Sequence, residues 1–148
     1  MTLWIDADGF PRRQREIALA AARRKGISAV VVSDRPIEGI SGETVSFVSV
    51  EAGDDSSDRY IESCIAEGDL VLTRDIPSME RIIRQGGTCM DHAGQLYDRS
   101  TIRERLSLRS FMEHYREAYG SPRKRKTQGR QEVEGFANSL DRLLEEIQ

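Results

Sequence analysis

The chain is poor in cysteine, proline and above all lysine. Only Cys64 and Cys89 occur among its 148 residues. They stand far apart, with no histidine or cysteine at metal-ligand spacing beside them. That argues against a disulfide scaffold and a zinc site, and is what a reduced cytoplasm allows. No apolar run approaches the roughly 18 residues that a membrane-spanning helix needs. The opening MTLWIDADGF lacks a basic stretch followed by an apolar core, so it reads as a first strand and not as a signal peptide. Lysine is confined to Lys25, Lys124 and Lys126, which leaves the long stretch 26–123 with arginine as its only strong base. Arginine suits bidentate phosphate contacts, although a compositional bias explains most of these arginines equally well.

Hydrophobic residues make up 38% of the chain and charged residues 32%, a composition that fits one soluble α/β domain over 1–148. Formal net charge is −3. Residues 1–100 carry 17 acidic and 12 basic side chains, and residues 101–148 carry 8 and 10. A nucleic-acid binder working by bulk charge alone would be more basic than this, so any such contact needs a local patch.

Apolar runs predict strands at 2–6 (TLWID), 28–33 (SAVVVS), 44–50 (TVSFVSV), 69–73 (DLVLT) and 88–91 (TCMD). Helices are predicted from Pro11 to Lys25 with Gly26 just beyond, from Ser56 to Glu67 before Gly68, and from Pro77 to Gly86. This alternation predicts a mostly parallel sheet with helices on both faces. Two C-terminal helices, over 100–118 and 131–147, are joined by the polar, basic connector GSPRKRKTQGR at 120–130. The second places Val133, Phe136, Leu140, Leu143 and Leu144 on one side.

Ligands of open parallel sheets bind at the carboxyl ends of the strands. The first strand ends in Asp6-Ala7-Asp8, the third leads into Gly53-Asp54-Asp55-Ser56-Ser57-Asp58, and the fourth ends in Thr73-Arg74-Asp75. In extended backbone Asp6 and Asp8 point the same way. In a first helical turn Asp55 and Asp58 share a face. Carboxylates that converge repel one another unless protonated or bridged by a cation. Mg²⁺ or Mn²⁺, hard ions with a preference for oxygen, is the expected counter-charge. Each acid has a plainer role too: Asp54, Asp55 and Asp58 as caps of a helix start, and Asp75 as a turn residue before Ile76-Pro77. His92 and His114 come with no serine or cysteine nucleophile at a readable spacing.

DADGFP at 6–11, AGDDSSD at 52–58, GDLVLTRDIP at 68–77 and TIRERLSLRSFM at 101–112 together resemble the YaiI/YqxD family of small bacterial proteins, in order and over nearly the whole chain. That family is usually placed in the PIN-like nuclease superfamily. The resemblance implies a three-layer αβα sandwich whose acids bind Mg²⁺ or Mn²⁺ and cleave phosphodiester bonds, most often in RNA. It makes Asp6 the first-strand acid, Asp58 the helix acid and Asp75 the acid after the fourth strand, all three metal ligands. Asp8 belongs to the family's DAD motif and would orient a ligand or a water on the ion, with Asp55 and Thr73 as secondary candidates. Arg12, Arg13 and Arg74 near the same edge, and Arg123, Lys124, Arg125 and Lys126 in the connector, are the candidate RNA contacts. Family members commonly carry a cysteine where Phe10 stands here, so no thiol is available at that position.

A rival of another class exists. LWIDADG also fits the opening of haloacid-dehalogenase-type phosphatases, where the first aspartate attacks phosphorus and the second acts as acid and base. Ser33 would serve as their second motif. The lysine those enzymes need is missing, and only Arg35 could replace it. A third reading is an inactive PIN-like fold that holds RNA or a protein partner without cutting. The expectation is therefore a cytoplasmic, metal-dependent ribonuclease with RNA as substrate, no membrane contact and an oligomeric state the sequence leaves open.

Overall fold

Alternation of short apolar runs with helices of one apolar face favours an α/β fold, a mostly parallel sheet packed against helices. The computed structural model describes residues 1–53, 55–104, 107, 108, 112 and 128–146. Strands β1 (Thr2–Asp6), β2 (Ser28–Ser33), β3 (Val45–Ser49), β4 (Leu70–Leu72), β5 (Thr88–Met90) and β6 (Leu96–Tyr97) form one sheet in the order β3-β2-β1-β4-β5-β6. All neighbours run parallel except β5 and β6. The helices described are α1 (Arg12–Lys25), α2 (Ser56–Cys64), α3 (Ile76–Arg84) and α4 (Gln128–Glu146).

The period of two along β1 sends its side chains to opposite faces. Leu3 and Ile5 pack with Val31, Leu70 and Leu72 against Ala18, Ala21 and Ala22 of α1 and Phe136, Leu140 and Leu144 of α4. Trp4 packs on the other side with Val32, Val71 and Cys89 against Ile61 of α2 and Met79, Ile82 and Ile83 of α3. Phe10 is buried edge-on against Phe136, with ring centroids 5.5 Å apart. It fastens α4 to the turn after β1. No described helix is long and apolar enough to cross a membrane.

Several boundaries differ from the sequence reading. Strand β1 stops at Asp6 and residues 7–9 form a turn, so Asp8 is not in extended backbone. Helix α2 ends at Cys64 and not at Glu67: Ile65 turns extended, and the Ala66 N–H donates to Asp69 instead of continuing the helix. Strand β6 has only two residues, too short for alternation to reveal, and it adds an antiparallel edge. Helix α4 begins at Gln128, inside the segment read as connector. Residues 102–104 are helical. Most of the 100–118 helix, His114 and the basic residues 123–126 lie outside the described residues.

At the amino edge of the sheet, Asp69 ties three segments together. It accepts hydrogen bonds from Thr2 N (2.9 Å), Trp4 Nε1 (3.0 Å) and Ala66 N (2.9 Å). The chain builds β1, β2 and β3 to one side and then returns to place β4 on the other flank of β1. This switch of direction opens a crevice at the carboxyl ends of β1 and β4.

Candidate metal centre

The crevice is a cleft of about 560 Å³ whose walls include Asp6, Asp8, Asp55, Asp58, Arg74 and Asp75. Each acid arrives by a different local device. Asp6 is the last residue of β1 and is 6% exposed. Its Oδ1 is shielded from solvent and has no hydrogen-bond partner among the described residues. Asp58 lies in the first turn of α2, 4% exposed. Asp75 caps α3, accepting the Ser78 N–H at 3.0 Å through Oδ1. The plainer role read for it is therefore real, and a ligand would take the other oxygen.

Asp55 precedes α2 with φ 62°, the one described non-glycine residue with positive φ. A left-handed conformation is strained for a residue with a Cβ. Asp55 makes no side-chain cap hydrogen bond in return. Its carboxylate instead joins those of Asp58 and Asp75, each contributing one oxygen to a group lying within 4.8 Å of one another. The secondary candidate Asp55 is thus as well placed as Asp58 and Asp75, while Asp6 abuts Asp58. Asp54 lies outside the described residues.

Electrostatics follow from this crowding. Burial, and then contact with the carboxylates of Asp6 and Asp75, pushes the Asp58 carboxyl up to about 10. Without a cation Asp58 carries a proton at neutral pH, which is how a buried acid cluster relieves its own repulsion. All-oxygen donors, one of them a buried carboxylate oxygen with no partner among the described residues, match a hard divalent ion. On that observation the residues fit Mg²⁺ or Mn²⁺.

Asp8 occupies a different place. Its carboxylate accepts the Ser33 hydroxyl at 2.7 Å, the Asp34 N–H at 3.0 Å and the Ser57 hydroxyl. Burial opposes ionisation of Asp8, but the Ser57, Ser33 and Asp34 hydrogen bonds outweigh it and hold the carboxyl below its usual value. Asp8 therefore braces the ends of β1 and β2 against the start of α2. Thr73 is buried and accepts the Asp75 N–H at 3.2 Å through its hydroxyl, positioning the turn. Arg74 lines the cleft. Arg12 is exposed, pairs with Glu16 at 2.9 Å, and lines a separate cavity beside α1; Arg13 is exposed at the same helix start.

The sequence reading missed three participants. Asp34 follows β2 and lines the cleft, its carboxyl pushed up chiefly by contact with Asp8. Glu62 accepts hydrogen bonds from the Ser78 hydroxyl at 3.2 Å and from Arg81 Nε. Arg81 in turn feels Asp75 and Asp58, so a positive group stands behind the acids. Glu62 is four residues after Asp58 and was legible as a neighbour on the same helix face. Arg81 was not, because its place depends on α2 packing beside α3.

Residues 4–146 match the family model described as "Uncharacterized BCR, YaiI/YqxD family". Among similar proteins is a UPF0178 protein of Syntrophobacter fumaroxidans, 39% identical over 144 residues, covering 97% of this chain and 94% of that one. A UPF0178 protein of Halorhodospira halophila is 36% identical, covering 97% and 95%. One from Psychromonas ingrahamii is 38% identical, covering 98% and 96%. No solved structure matches the chain. With the family model spanning almost all of its length, and relatives matching it nearly end to end, this chain belongs to the YaiI/YqxD family.

Proposed function

We propose that this protein is a Mg²⁺- or Mn²⁺-dependent phosphodiester hydrolase of PIN-like type acting on RNA. One observation carries the reading: Asp6, Asp55, Asp58 and Asp75 crowd the carboxyl edge at the β1/β4 switch point, with a buried Asp6 oxygen that has no hydrogen-bond partner among the described residues. Asp55, Asp58 and Asp75 would hold the ion directly or through water, with Asp6 beside them. When bound, the ion supplies charge that eases deprotonation of an attacking water and offsets charge building on the phosphate oxygens. The chain's own part is placement. Asp8, pinned by Ser33, Ser57 and the Asp34 N–H, fixes the cleft wall, and Arg74 lies where a phosphate oxygen would be met. Helices on both faces of the sheet support the PIN-like placement.

The phosphatase alternative is less well supported. It would need Asp6 to attack phosphorus, yet that side chain is 6% exposed and pressed against Asp58. Its stand-in for the missing lysine, Arg35, is 86% exposed in its side chain and leans toward Asp34 at 3.7 Å.

The test is single-stranded RNA incubated with the metal-stripped protein, with and without millimolar Mn²⁺, alongside thermal melts. The proposal expects Mn²⁺ to raise the melting temperature by mass action and to switch on cleavage, and expects Asp58→Asn and Asp75→Asn to lose both. No Mn²⁺-dependent stabilisation would refute the metal site. A phosphoaspartate on Asp6, trapped with beryllium fluoride, would establish the phosphatase instead. RNA binding without cleavage would leave a binding module.

A further inference from the structure

A second cavity of about 490 Å³ lies between α1 and the loop after β2. One wall is a stripe of α1, Arg12, Arg15, Leu19 and Arg23, spaced so that they share a helix face. The other is the loop 36–40, where Ile37 and Ile40 pack on the core.

Two of these arginines have protein partners. Arg12 pairs with Glu16 at 2.9 Å, and Arg23 donates to the Ser41 carbonyl at 2.8 Å. For Arg15 Nε no described residue is an acceptor, and that atom is shielded from solvent. A guanidinium is permanently charged and presents its donors as a planar fork suited to phosphate. The first turn of α1 contains no acid and no side-chain cap; Glu16, just beyond it, lines the groove and is engaged by Arg12. Glu38 is the one lining acid that no described partner engages, and the arginines outnumber the acids on these walls.

Location gives the cavity its meaning. Gly9 and Asp34 line the acidic cleft, while Arg12 and Pro36 line this groove. The chain thus passes from one to the other twice within a few residues.

We infer that the groove between α1 and residues 36–40 is a phosphate subsite, which takes a phosphodiester of single-stranded RNA flanking the bond at the acids. The RNA rests on the proposed nuclease reading; the phosphate rests on the groove itself. Arg15 is its central donor, with Arg12 and Arg23 at either side.

The experiment is fluorescence anisotropy with a 5′-fluorescein-labelled decauridylate, in EDTA so that no cleavage occurs, over a series of salt concentrations. Arg15→Gln is expected to weaken binding by about tenfold and to flatten the salt dependence by a slope of roughly 0.7 for the lost contact. If thermal melts show Arg15→Gln to be misfolded, the exposed pair Arg12→Gln with Arg23→Gln decides in its place, with the same expectation. Unchanged affinity and slope in the folded variants, or no binding by the wild-type protein, overturns the subsite. Cleavage of the same RNA in Mn²⁺ is measured separately. Cleavage with groove-independent binding removes the subsite and keeps the nuclease. Groove-dependent binding without cleavage keeps the phosphate subsite and removes the nuclease.

Discussion

Replacing Asp58 by asparagine is expected to stabilise the metal-free protein, against the usual effect of changing a buried residue. The folded carboxyl is held up near 10 by burial and by Asp6 and Asp75, against 3.8 when unfolded. A raised folded value means that the group's contribution is complete below about pH 4. It is lost progressively as pH climbs toward 10, because the unfolded chain ionises where the folded one must keep its proton. At pH 7 about three pH units of this loss have accrued, at about 1.4 kcal/mol each, so roughly 4 kcal/mol is the ceiling on what Asn recovers. For a chain of this length that corresponds to a melting temperature higher by about 10 °C. Asparagine has nearly the shape of the protonated acid and donates to the same neighbours, so little packing is lost. Thermal melts in EDTA at pH 4, 7 and 9 are the assay. Wild type and variant should coincide at pH 4 and separate increasingly above it. Adding Mn²⁺ should narrow the gap by stabilising only the wild type, by about 2.7 kcal/mol at a hundredfold excess over Kd. A variant less stable than wild type at pH 7 in EDTA, or parallel pH curves, would refute the reasoning.

Asp69 behaves in the opposite sense. Burial alone would raise its carboxyl, but hydrogen bonds from Ala66 N, Thr2 N and Trp4 Nε1 outweigh it and hold the value low. Its contribution is therefore complete above about pH 4 and lost as acid takes the pH through the depressed value. Asp69→Ala should cost about 3 kcal/mol at pH 7, by urea titration, and the gap should narrow in strong acid. Gly135→Ala should destabilise by about 1–3 kcal/mol, although alanine is the better helix former, because the added Cβ would stand 2.8 Å from the Ala93 carbonyl oxygen. A variant with a raised urea midpoint would show that α4 does not approach that loop so closely. Phe10→Ala should cost about 3–5 kcal/mol and speed amide exchange in α4, since it empties the seat of Phe136. Unchanged exchange in α4 would contradict the role given to that ring pair.

The strands β1 and β2 were readable to the residue, because each is an unbroken apolar segment ended by a polar one and its neighbours in space are other such segments. The pairing of Asp55 with Asp58 was expected from helical spacing, but Asp55 stands just before α2 in left-handed backbone, so the conformation that brings it to Asp58 was not readable. Asp75 was read as a turn residue from its place before Ile76-Pro77; the structure makes it the cap of α3. What these residues face was not readable. That Asp6 is sealed against Asp58 and that Asp8 spends its oxygens on Ser33, Asp34 and Ser57 depend on α2 starting beside the ends of β1 and β2; that Arg81 stands behind the acids depends on α2 and α3 packing side by side. The two-residue β6 and the placement of Arg15 in its groove belong to the same class. Periodicity and caps are properties of a few consecutive residues and survive in the sequence. Burial, pKa and the pairing of distant charges arise only when the return from β3 to β4 brings segments some fifty residues apart to one edge of the sheet.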